Sequence, residues 1–495
     1  YITLIILSVF SFSLTRFTRD KCNYYNLLII MSFFIKGKAT SNKPVRNKYS
    51  QKQGVKRKAK KQKFKPEDEV SSEEDENLRS VADKSSSEDE YETAQEKKLR
   101  LAKIYLEEIE KEERQRLEDA ETLNDGRNGD VISKRLKVDY LKQAGKLKLS
   151  VADQYTGVDG DNIIVLKCKE HGRAVTCLCV SPDNKYIFSG SKDGSIVKWS
   201  LLEHRKVASL PFVKKNHVST SKEVLGHSKQ ILSIAISSDN KYLAVGDENN
   251  VIHVWNPTDL KHLGSLKGHR DAVTGVTFRR DTHTLYSCSK DRSVKVWSLD
   301  EMSYVETLYG HQDGITAIDA LTRERAVTSG GRDTSIRIWK IAEESQLIYN
   351  GHSGSIDVVR LINEENFVSG GDDGQLCIWS AMKKKPLCTV KDAHGQDPIN
   401  SQPHWIASVA SLLNTDLIAS GSNDGFIRLW KLGENFRTIS SLFTVEMTGF
   451  VNDMIFTSDG KYLIASVGTE HRFGRWTVIK SARNSVVIIP LMKNK

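Results

Sequence analysis

The sequence predicts an all-β fold built from seven copies of one four-stranded unit. Tryptophan recurs at intervals of 40 to 56 residues, and short segments of alternating apolar and polar residues, such as 196–199, lie between Asp-Gly or similar turns. Because one four-stranded sheet cannot bury both of its faces, such units stack radially. Seven recurring tryptophans therefore predict a seven-bladed β-propeller over residues 161–495: Trp199, Trp255, Trp297, Trp339, Trp379, Trp430 and Trp476.

Polar residues stand at fixed distances before these tryptophans. In the first six repeats an Asp or Asn precedes the Trp by six residues, in five of them a Ser precedes it by ten, and a His, usually after Gly, lies further upstream. This Gly-His, Ser, Asp, Trp pattern resembles the WD-repeat (WD40) family, and the resemblance implies a buried hydrogen-bond relay in each blade. Because the pattern recurs, it is not a single hydrolase triad. The most regular sets are His269, Ser287, Asp291, Trp297; His311, Ser329, Asp333, Trp339; and His352, Ser369, Asp373, Trp379.

Two repeats depart from the pattern. Repeat 2 has Val245 and Asn249 at the Ser and Asp positions, so we expect its relay to be weak or absent. Repeat 7 lacks both the Asp and the Gly-His pair. The ring can be closed by 163–166, by 485–489 or by both, and either segment can supply the outer strand of the last blade. Long gaps between tryptophans place insertions near 203–224 and 381–404.

The chain before the propeller divides into three segments. Residues 1–30 precede the first methionine, Met31, and we interpret them as translated upstream sequence. Residues 31–93 form a tail that is basic and then acidic, and such composition predicts disorder. Residues 94–160 carry helical periodicity in two stretches, 94–123 and 131–149, which we expect to dock on a partner or on the propeller.

The tail contains a compact basic cluster and several acid-flanked serines. Residues 36–65 hold 13 Lys or Arg and no acid, and a solvated run of this kind predicts a nuclear or nucleolar localisation signal, with a solubilising tail as the alternative. The residues of the predicted signal are Lys56, Arg57, Lys58, Lys60, Lys61 and Lys63. Acids follow three residues after Ser71, Ser72, Ser85, Ser86 and Ser87, a context that an acid-directed kinase can use.

Composition excludes several classes of protein. The formal net charge is +10, of which +7 lies in residues 1–150, so a uniformly basic nucleic-acid-coating protein is excluded. Neither apolar stretch near the start reaches the length of a membrane span. The seven cysteines include no C-x-x-C pair and are expected to be reduced thiols of a cytosolic or nuclear protein. No phosphate loop, four-ligand zinc cluster or nucleophile–base pair is visible, so we expect no enzyme activity, no metal and no cofactor.

Five stretches that lie partly outside the generic repeat pattern narrow the family further. The stretches are 98–106 (KLRLAKIYL), 268–297 (GHRDAVTGVTFRRDTHTLYSCSKDRSVKVW), 303–308 (SYVETL), 343–347 (EESQL) and 471–491 (HRFGRWTVIKSARNSVVIIPL). Together they resemble the U3 small nucleolar RNA-associated WD-repeat proteins, and the likeness runs over roughly residues 95–491.

The resemblance implies a ribonucleoprotein subunit without catalytic activity. It implies binding to the box B/C element of U3 small nucleolar RNA, together with a kink-turn-binding protein of the same particle. It also implies other small-subunit processome proteins as partners, location in the nucleolus, and a role in pre-ribosomal RNA processing for the small subunit. The alternative is a generic nuclear WD-repeat scaffold for a protein complex, without direct RNA contact. For both functions we expect no membrane partner and no small-molecule substrate.

Basic residues at two loop positions predict where RNA binds. In a propeller, the residue after Gly-His and the residue before the turn Asp face the same rim. Blades 2 and 5 carry Glu248 and Asp372 there, so one side of the rim is acidic. The predicted RNA contacts are Arg173, Lys192, Arg270, Lys290, Arg292 and Arg332, with a second group of Arg472, Arg475 and Arg483 near the last blade. Ordinary surface charge is the alternative for the first group, and packing across the closing strands for the second.

No row of aromatic residues alternates with these basic positions. Such a row is typical of proteins that stack the bases of single strands. We therefore expect recognition of the shape and backbone of a folded RNA.

Overall fold

The structure, a computed structural model of the chain, describes residues 94–119, 128–213, 226–398 and 400–493. The predicted localisation signal, the acid-flanked serines and the segments 1–30 and 31–93 lie outside these residues. Two helices come first: α1 is Ala94–Asp119 and α2 is Asn128–Gln143. No helix in the described ranges is both long and apolar enough to cross a membrane.

The second helix is shorter than the periodicity predicts. It ends at Gln143, whereas the apolar pattern continues to Leu149. Gly145 has a φ of +66°, Lys146 N–H donates to the carbonyl of Leu141, and Gly145 N–H donates to that of Lys142. This is a glycine-based helix stop. The chain then runs along the sixth blade, where Leu149 N–H donates to the carbonyl of Asn414 over 2.8 Å.

The predicted seven-bladed propeller is confirmed. Six blades are four-stranded antiparallel sheets made of consecutive strands. Blade 1 contains β3 Val175–Val180, β4 Tyr186–Ser191, β5 Ile196–Ser200 and β6 Arg205–Leu210. Blade 2 contains β7 Ile231–Ile236, β8 Leu243–Asp247, β9 Val251–Trp255 and β10 His262–Lys267. Blade 3 contains β11 Val273–Phe278, β12 Thr284–Ser289, β13 Ser293–Ser298 and β14 Ser303–Tyr309.

The other three regular blades repeat this order. Blade 4 contains β15 Ile315–Ala320, β16 Arg325–Gly330, β17 Ser335–Lys340 and β18 Ser345–Asn350. Blade 5 contains β19 Ile356–Leu361, β20 Asn366–Gly371, β21 Leu376–Ser380 and β22 Lys383–Val390. Blade 6 contains β23 Ser408–Ser411, β24 Leu417–Gly421, β25 Phe426–Leu432 and β26 Ile439–Glu446.

Blade 7 closes the ring with strands from both ends of the propeller sequence. Its inner strands are β27 Phe450–Phe456, β28 Tyr462–Gly468 and β29 Ser485–Lys493. The outer position is shared by β1 Tyr155–Val158 and β2 Ile164–Leu166, which both pair with β29. Both predicted closing segments are therefore used, and the propeller sheet begins at Tyr155, six residues before the predicted boundary.

The core lies between neighbouring blades. Val175 of blade 1, for example, packs in one cluster with Ile464 and Val486 of blade 7. Inner-strand hydroxyls add a repeated polar link, because each donates to a carbonyl of the following blade: Thr176 to Ile231, Thr274 to Ile315, Thr316 to Ile356 and Ser408 to Val451, at 2.6–2.7 Å. A buried hydroxyl with such a partner avoids the cost of desolvation without a hydrogen bond.

Candidate nucleic-acid interface

A hydrogen-bond relay fixes the loops on one face of the propeller. In blade 3, His269 Nδ1 lies 3.0 Å from Asp291 Oδ2 and His269 Nε2 lies 2.8 Å from Ser287 Oγ, which also accepts a 2.8 Å hydrogen bond from Trp297 Nε1. Burial alone would raise the pKa of Asp291, but hydrogen bonds from His269, Ser293 and a backbone N–H lower it well below its usual range. The relay thereby joins the loop entering the blade to the turn between its second and third strands.

Blades 5 and 6 have the same geometry. His352 Nε2 lies 2.7 Å from Ser369 Oγ, its Nδ1 lies 3.0 Å from Asp373, and Trp379 Nε1 donates to Ser369 over 2.8 Å. In blade 6, His394 stands before its Gly and makes the equivalent contacts to Asp424 and Ser420. We call the face formed by the entering loops and these turns the relay face.

The expectation that Ser329 serves in the relay of blade 4 is wrong. His311 Nε2 and Trp339 Nε1 each lie 2.8 Å from Thr328 Oγ1, while His311 Nδ1 keeps its 2.7 Å contact with Asp333. The turn between the second and third strands holds one residue more in blade 4 than in blade 3. Thr328, which pairs with Arg337, therefore occupies the position that Ser287, paired with Lys295, has in blade 3. Ser329 instead bonds Thr316.

Replacing Thr328 by the isosteric Val should destabilise the propeller by about 1–3 kcal/mol, because it leaves two buried polar atoms, His311 Nε2 and Trp339 Nε1, without a hydrogen-bond partner. Ser329→Ala is the matched control and should lose clearly less. Urea unfolding of the two variants measures the difference. A larger loss for the Ser329 variant would contradict the assignment of Thr328.

Blade 2 has a different polar arrangement. Val245 cannot accept a hydrogen bond, and His227 Nε2 and Trp255 Nε1 are buried without a hydrogen-bond partner among the described residues. His227 Nδ1 lies 3.2 Å from Oδ2 of Asp247, two residues before Asn249. The ring of His253 is 4.7 Å from that of His227, and burial lowers the pKa of His253 to about 4.

The basic residues of the first predicted group are mostly exposed on the relay face. Lys192, Glu248, Lys290 and Asp372 occupy equivalent places, because the N–H of each donates to a carbonyl of the loop entering its blade. In blade 4 the equivalent residue is Gly331, and Arg332 occupies the extra position of the longer turn. The exposed members of this group are Arg173, Arg270, Lys290, Arg292 and Arg332.

The long loop of blade 7, residues 469–484, folds over part of this face. Lys192 is buried beneath it, where its Nζ lies 3.3 Å from Glu470 and donates to the carbonyl of Gly474 over 3.0 Å. Arg472 is only 8% exposed, donates to the backbone carbonyl of Asp357, and lies close enough to Asp453 for electrostatic attraction. The expectation that Lys192 and Arg472 contact RNA is therefore wrong, because both side chains hold this loop in place.

The outer part of the same loop is exposed. The side chain of Arg475 is 78% exposed and its Nε lies 3.1 Å from Glu470, and Arg483 is also exposed. Trp476 is 65% exposed and lies outside the strands, so its assignment to the repeat position is wrong. Its ring meets that of Trp405 edge-on at 5.7 Å. The absence of an Asp six residues before Trp476 was the signal that could have set it apart.

The acidic side of the face lies on blades 2 and 5. Glu248 and Asp372 are half-buried. Burial and the neighbouring Asp373 raise the pKa of Asp372. At the loop positions compared, the exposed positive charges lie on blades 1, 3 and 4, and further ones lie on the loop of blade 7; such a lopsided distribution can orient a polyanion.

Comparison with known proteins agrees with this architecture. Six segments match the model of the WD domain, G-beta repeat: 162–200, 219–256, 260–298, 302–340, 343–380 and 393–431. The chain is 53% identical to the mouse "U3 small nucleolar RNA-interacting protein 2", over 81% of this chain and 83% of the relative. This chain belongs to the family of U3 small nucleolar RNA-associated WD-repeat proteins.

Other members of the family have comparable similarity. The human U3 small nucleolar RNA-interacting protein 2 is 52% identical over the same shares of the two chains. A solved structure titled "Structure of U3-55K" is 52% identical, superposes with a TM-score of 0.64, and covers 68% of this chain and 100% of its own. The family membership thus rests on the propeller and on sequence outside the six matched repeats.

Proposed function

We propose that this protein is a non-catalytic, RNA-binding subunit of the U3 small nucleolar ribonucleoprotein. It binds the box B/C region of the U3 RNA and acts in pre-ribosomal RNA processing for the small ribosomal subunit. The observation that carries the proposal is the 53% identity, over four-fifths of the chain, to a protein named for its interaction with U3 small nucleolar RNA.

Exposed arginines on the relay face support direct contact with the RNA backbone. Arg270, Arg292 and Arg332 come from the neighbouring blades 3 and 4, and each presents a guanidinium whose fork of donors fits phosphate oxygens. The relay fixes their loops: Arg270 N–H donates to Asp291 over 2.9 Å. Rigid loops of this kind hold charges ready for phosphate without a large ordering cost.

The loop of blade 7 supports a second contact of a different kind. Trp476 and Val478 are exposed next to Arg475, while Lys192 and Arg472 anchor the loop from inside. An exposed indole beside a guanidinium offers both a stacking surface for a base and a charge for its phosphate. A single tryptophan fits an unpaired base at the edge of a folded RNA better than a long single strand.

The proposed protein partners are other components of the U3 ribonucleoprotein and its surroundings. A kink-turn-binding protein shares the RNA element, and other small-subunit processome proteins surround it in the nucleolus. The acidic side of the relay face, with Glu248 and Asp372, is available for a protein partner. The alternative is a nuclear scaffold that associates with the RNA only through such a partner.

A reconstitution across a salt series separates the two functions. Direct phosphate contact predicts that purified protein binds box B/C RNA alone and that its affinity falls steeply with salt concentration. Sequencing of the RNA that co-purifies with the protein from cells should return U3 RNA. Binding that requires the kink-turn protein at every salt concentration would favour the scaffold.

Neutralising the basic cluster at Lys56, Arg57, Lys58, Lys60, Lys61 and Lys63 should weaken nuclear entry, because import signals are read through their positive charge. Fluorescence imaging of a chain that starts at Met31, with and without the six changes, measures the effect. Unchanged import would exclude this segment as the signal.

A further inference from the structure

Blade 2 holds a group of side chains that the proposed function does not use. His227 lies in the loop entering the blade, Asp247 ends β8, and His253 lies on β9. One ligand-type atom from each of the three lies within 4.8 Å of the other two. The three residues, which we call the blade 2 triad, are two imidazoles and a carboxylate, a combination that binds zinc.

The distances within the triad fit a shared metal ion. Oδ2 of Asp247 lies 3.2 Å from His227 Nδ1 and 3.9 Å from His253 Nε2. Ligand atoms at metal distances of 2.0–2.1 Å in a tetrahedron are about 3.3 Å apart, so the distance between His227 and Asp247 already fits, and His253 must move towards them to complete the geometry. His227 and Asp247 are fully buried, and the side chain of His253 is largely so.

Neighbouring groups orient two of the three ligands from behind. The outer nitrogen of His253, Nδ1, lies 2.9 Å from Ser265 Oγ, which leaves Nε2 directed towards Asp247. The other oxygen of Asp247, Oδ1, accepts a 2.9 Å hydrogen bond from Asn249 N–H. Ligating histidines and carboxylates in metalloproteins are held by outer hydrogen bonds of this kind.

The triad is peculiar to blade 2 among the six regular blades. Strand pairing places His253 opposite Val245, where the other blades have a relay hydroxyl. Without that hydroxyl, His227 Nε2 and Trp255 Nε1 have no partner among the described residues. The residues two positions before the tryptophan in the other regular blades are Val197, Lys295, Arg337, Cys377 and Arg428.

We propose that the blade 2 triad binds one divalent transition-metal ion of the zinc class. The ligands are His227 Nδ1, Asp247 Oδ2 and His253 Nε2, and a water molecule completes the tetrahedron. The ion joins the entering loop, β8 and β9, and so replaces the cross-link that the missing relay Ser provides elsewhere. This departs from the expectation of no metal, which considered only clusters of four ligands close in sequence.

Cobalt binding to the untagged, chelator-treated full chain tests the proposal. One equivalent of Co²⁺ should give the intense visible spectrum of a tetrahedral site, and Zn²⁺ should abolish it. His253→Lys should weaken cobalt binding by more than about 100-fold. The variant should still fold, because blade 3 has a lysine, Lys295, at the same position. Lys295 bonds Thr307 on the neighbouring strand, and a lysine at position 253 can bond Ser265 in the same way. His283→Ala removes a histidine outside the triad, between Asp239 and Asp300, and should leave the spectrum unchanged.

Two results would overturn the proposal. One is a parent chain whose cobalt spectrum is absent or equal to that of His253→Lys; the other is loss of the spectrum only in His283→Ala. X-ray absorption of the zinc-loaded parent needs no variant. It should show two imidazoles and oxygen ligands, and a sulfur-containing or all-oxygen shell would exclude the triad.

Discussion

Reversing two charges on the relay face, R270E with R332E, should weaken binding of box B/C RNA about 100-fold. In the proposed complex each arginine makes one charge-assisted contact with a phosphate. Loss of about 1.4 kcal/mol of binding free energy for each of the two contacts weakens binding about 100-fold. The remaining binding should depend less steeply on salt, because fewer counterions are released. The fold should persist, since both side chains are exposed and neither belongs to a relay.

Filter binding across a salt series measures this effect, with a melting curve to exclude misfolding. The matched control removes charge on the other side of the face, Glu248→Ala with Asp372→Ala, and should retain the RNA. A folded R270E/R332E variant that binds like the parent would exclude the blade 3–4 patch and leave Arg475 and Arg483 as the basic contacts.

Asp291→Ala should lower the free energy of unfolding by about 1–3 kcal/mol. Asp291 accepts hydrogen bonds from His269 Nδ1, Arg270 N–H, Ser293 N–H and Ser293 Oγ, so its removal leaves buried donors without an acceptor. Because Arg270 depends on this carboxylate, the entering loop of blade 3 should also lose rigidity.

Denaturant unfolding compares this variant with Asn249→Ala, the equivalent position in blade 2. There the contact to His227 comes from Asp247, and the Asn249 amide bonds mainly Ser228, over 2.7 Å. The loss should therefore be clearly smaller. Equal losses in the two variants would contradict the role assigned to the relay carboxylate.

The period of tryptophan predicted the six regular blades, because each of them buries the same large side chain at the same position. The period alone failed for Trp476, which follows Trp430 at an ordinary interval but lies in an exposed loop. In blade 7 the third strand, which carries the tryptophan in the other blades, is β29. Its outer edge pairs with β1 and β2.

Register within a repeat was less predictable than the repeat itself. Counting back ten residues from Trp339 selects Ser329, yet one additional turn residue moves Thr328 into the relay. Because both residues carry a hydroxyl, residue type did not indicate which of them belongs to the relay. The pair Gly330-Gly331 gave no sign of the longer turn either, because blade 5 has the same pair, Gly370-Gly371, and keeps Ser369 in its relay.

Exposure of charged side chains was the least predictable feature of the site. Lys192 and Arg472 have the same charge and similar loop positions as their exposed counterparts, but residues distant in sequence bury them: Glu470 and Gly474 contact Lys192, and Asp357 contacts Arg472. Sequence distance hides such contacts, because they depend on how the loop 469–484 crosses the face.

Cross-linking of U3 RNA to the assembled particle, with identification of the linked peptides, tests the central claim most directly. Direct recognition by the relay face predicts cross-links at Trp476 in the loop of blade 7 and within the loops that carry Arg270, Arg292 and Arg332. Cross-links confined to the kink-turn-binding protein, or to the propeller face opposite the relay, would contradict direct recognition by this surface.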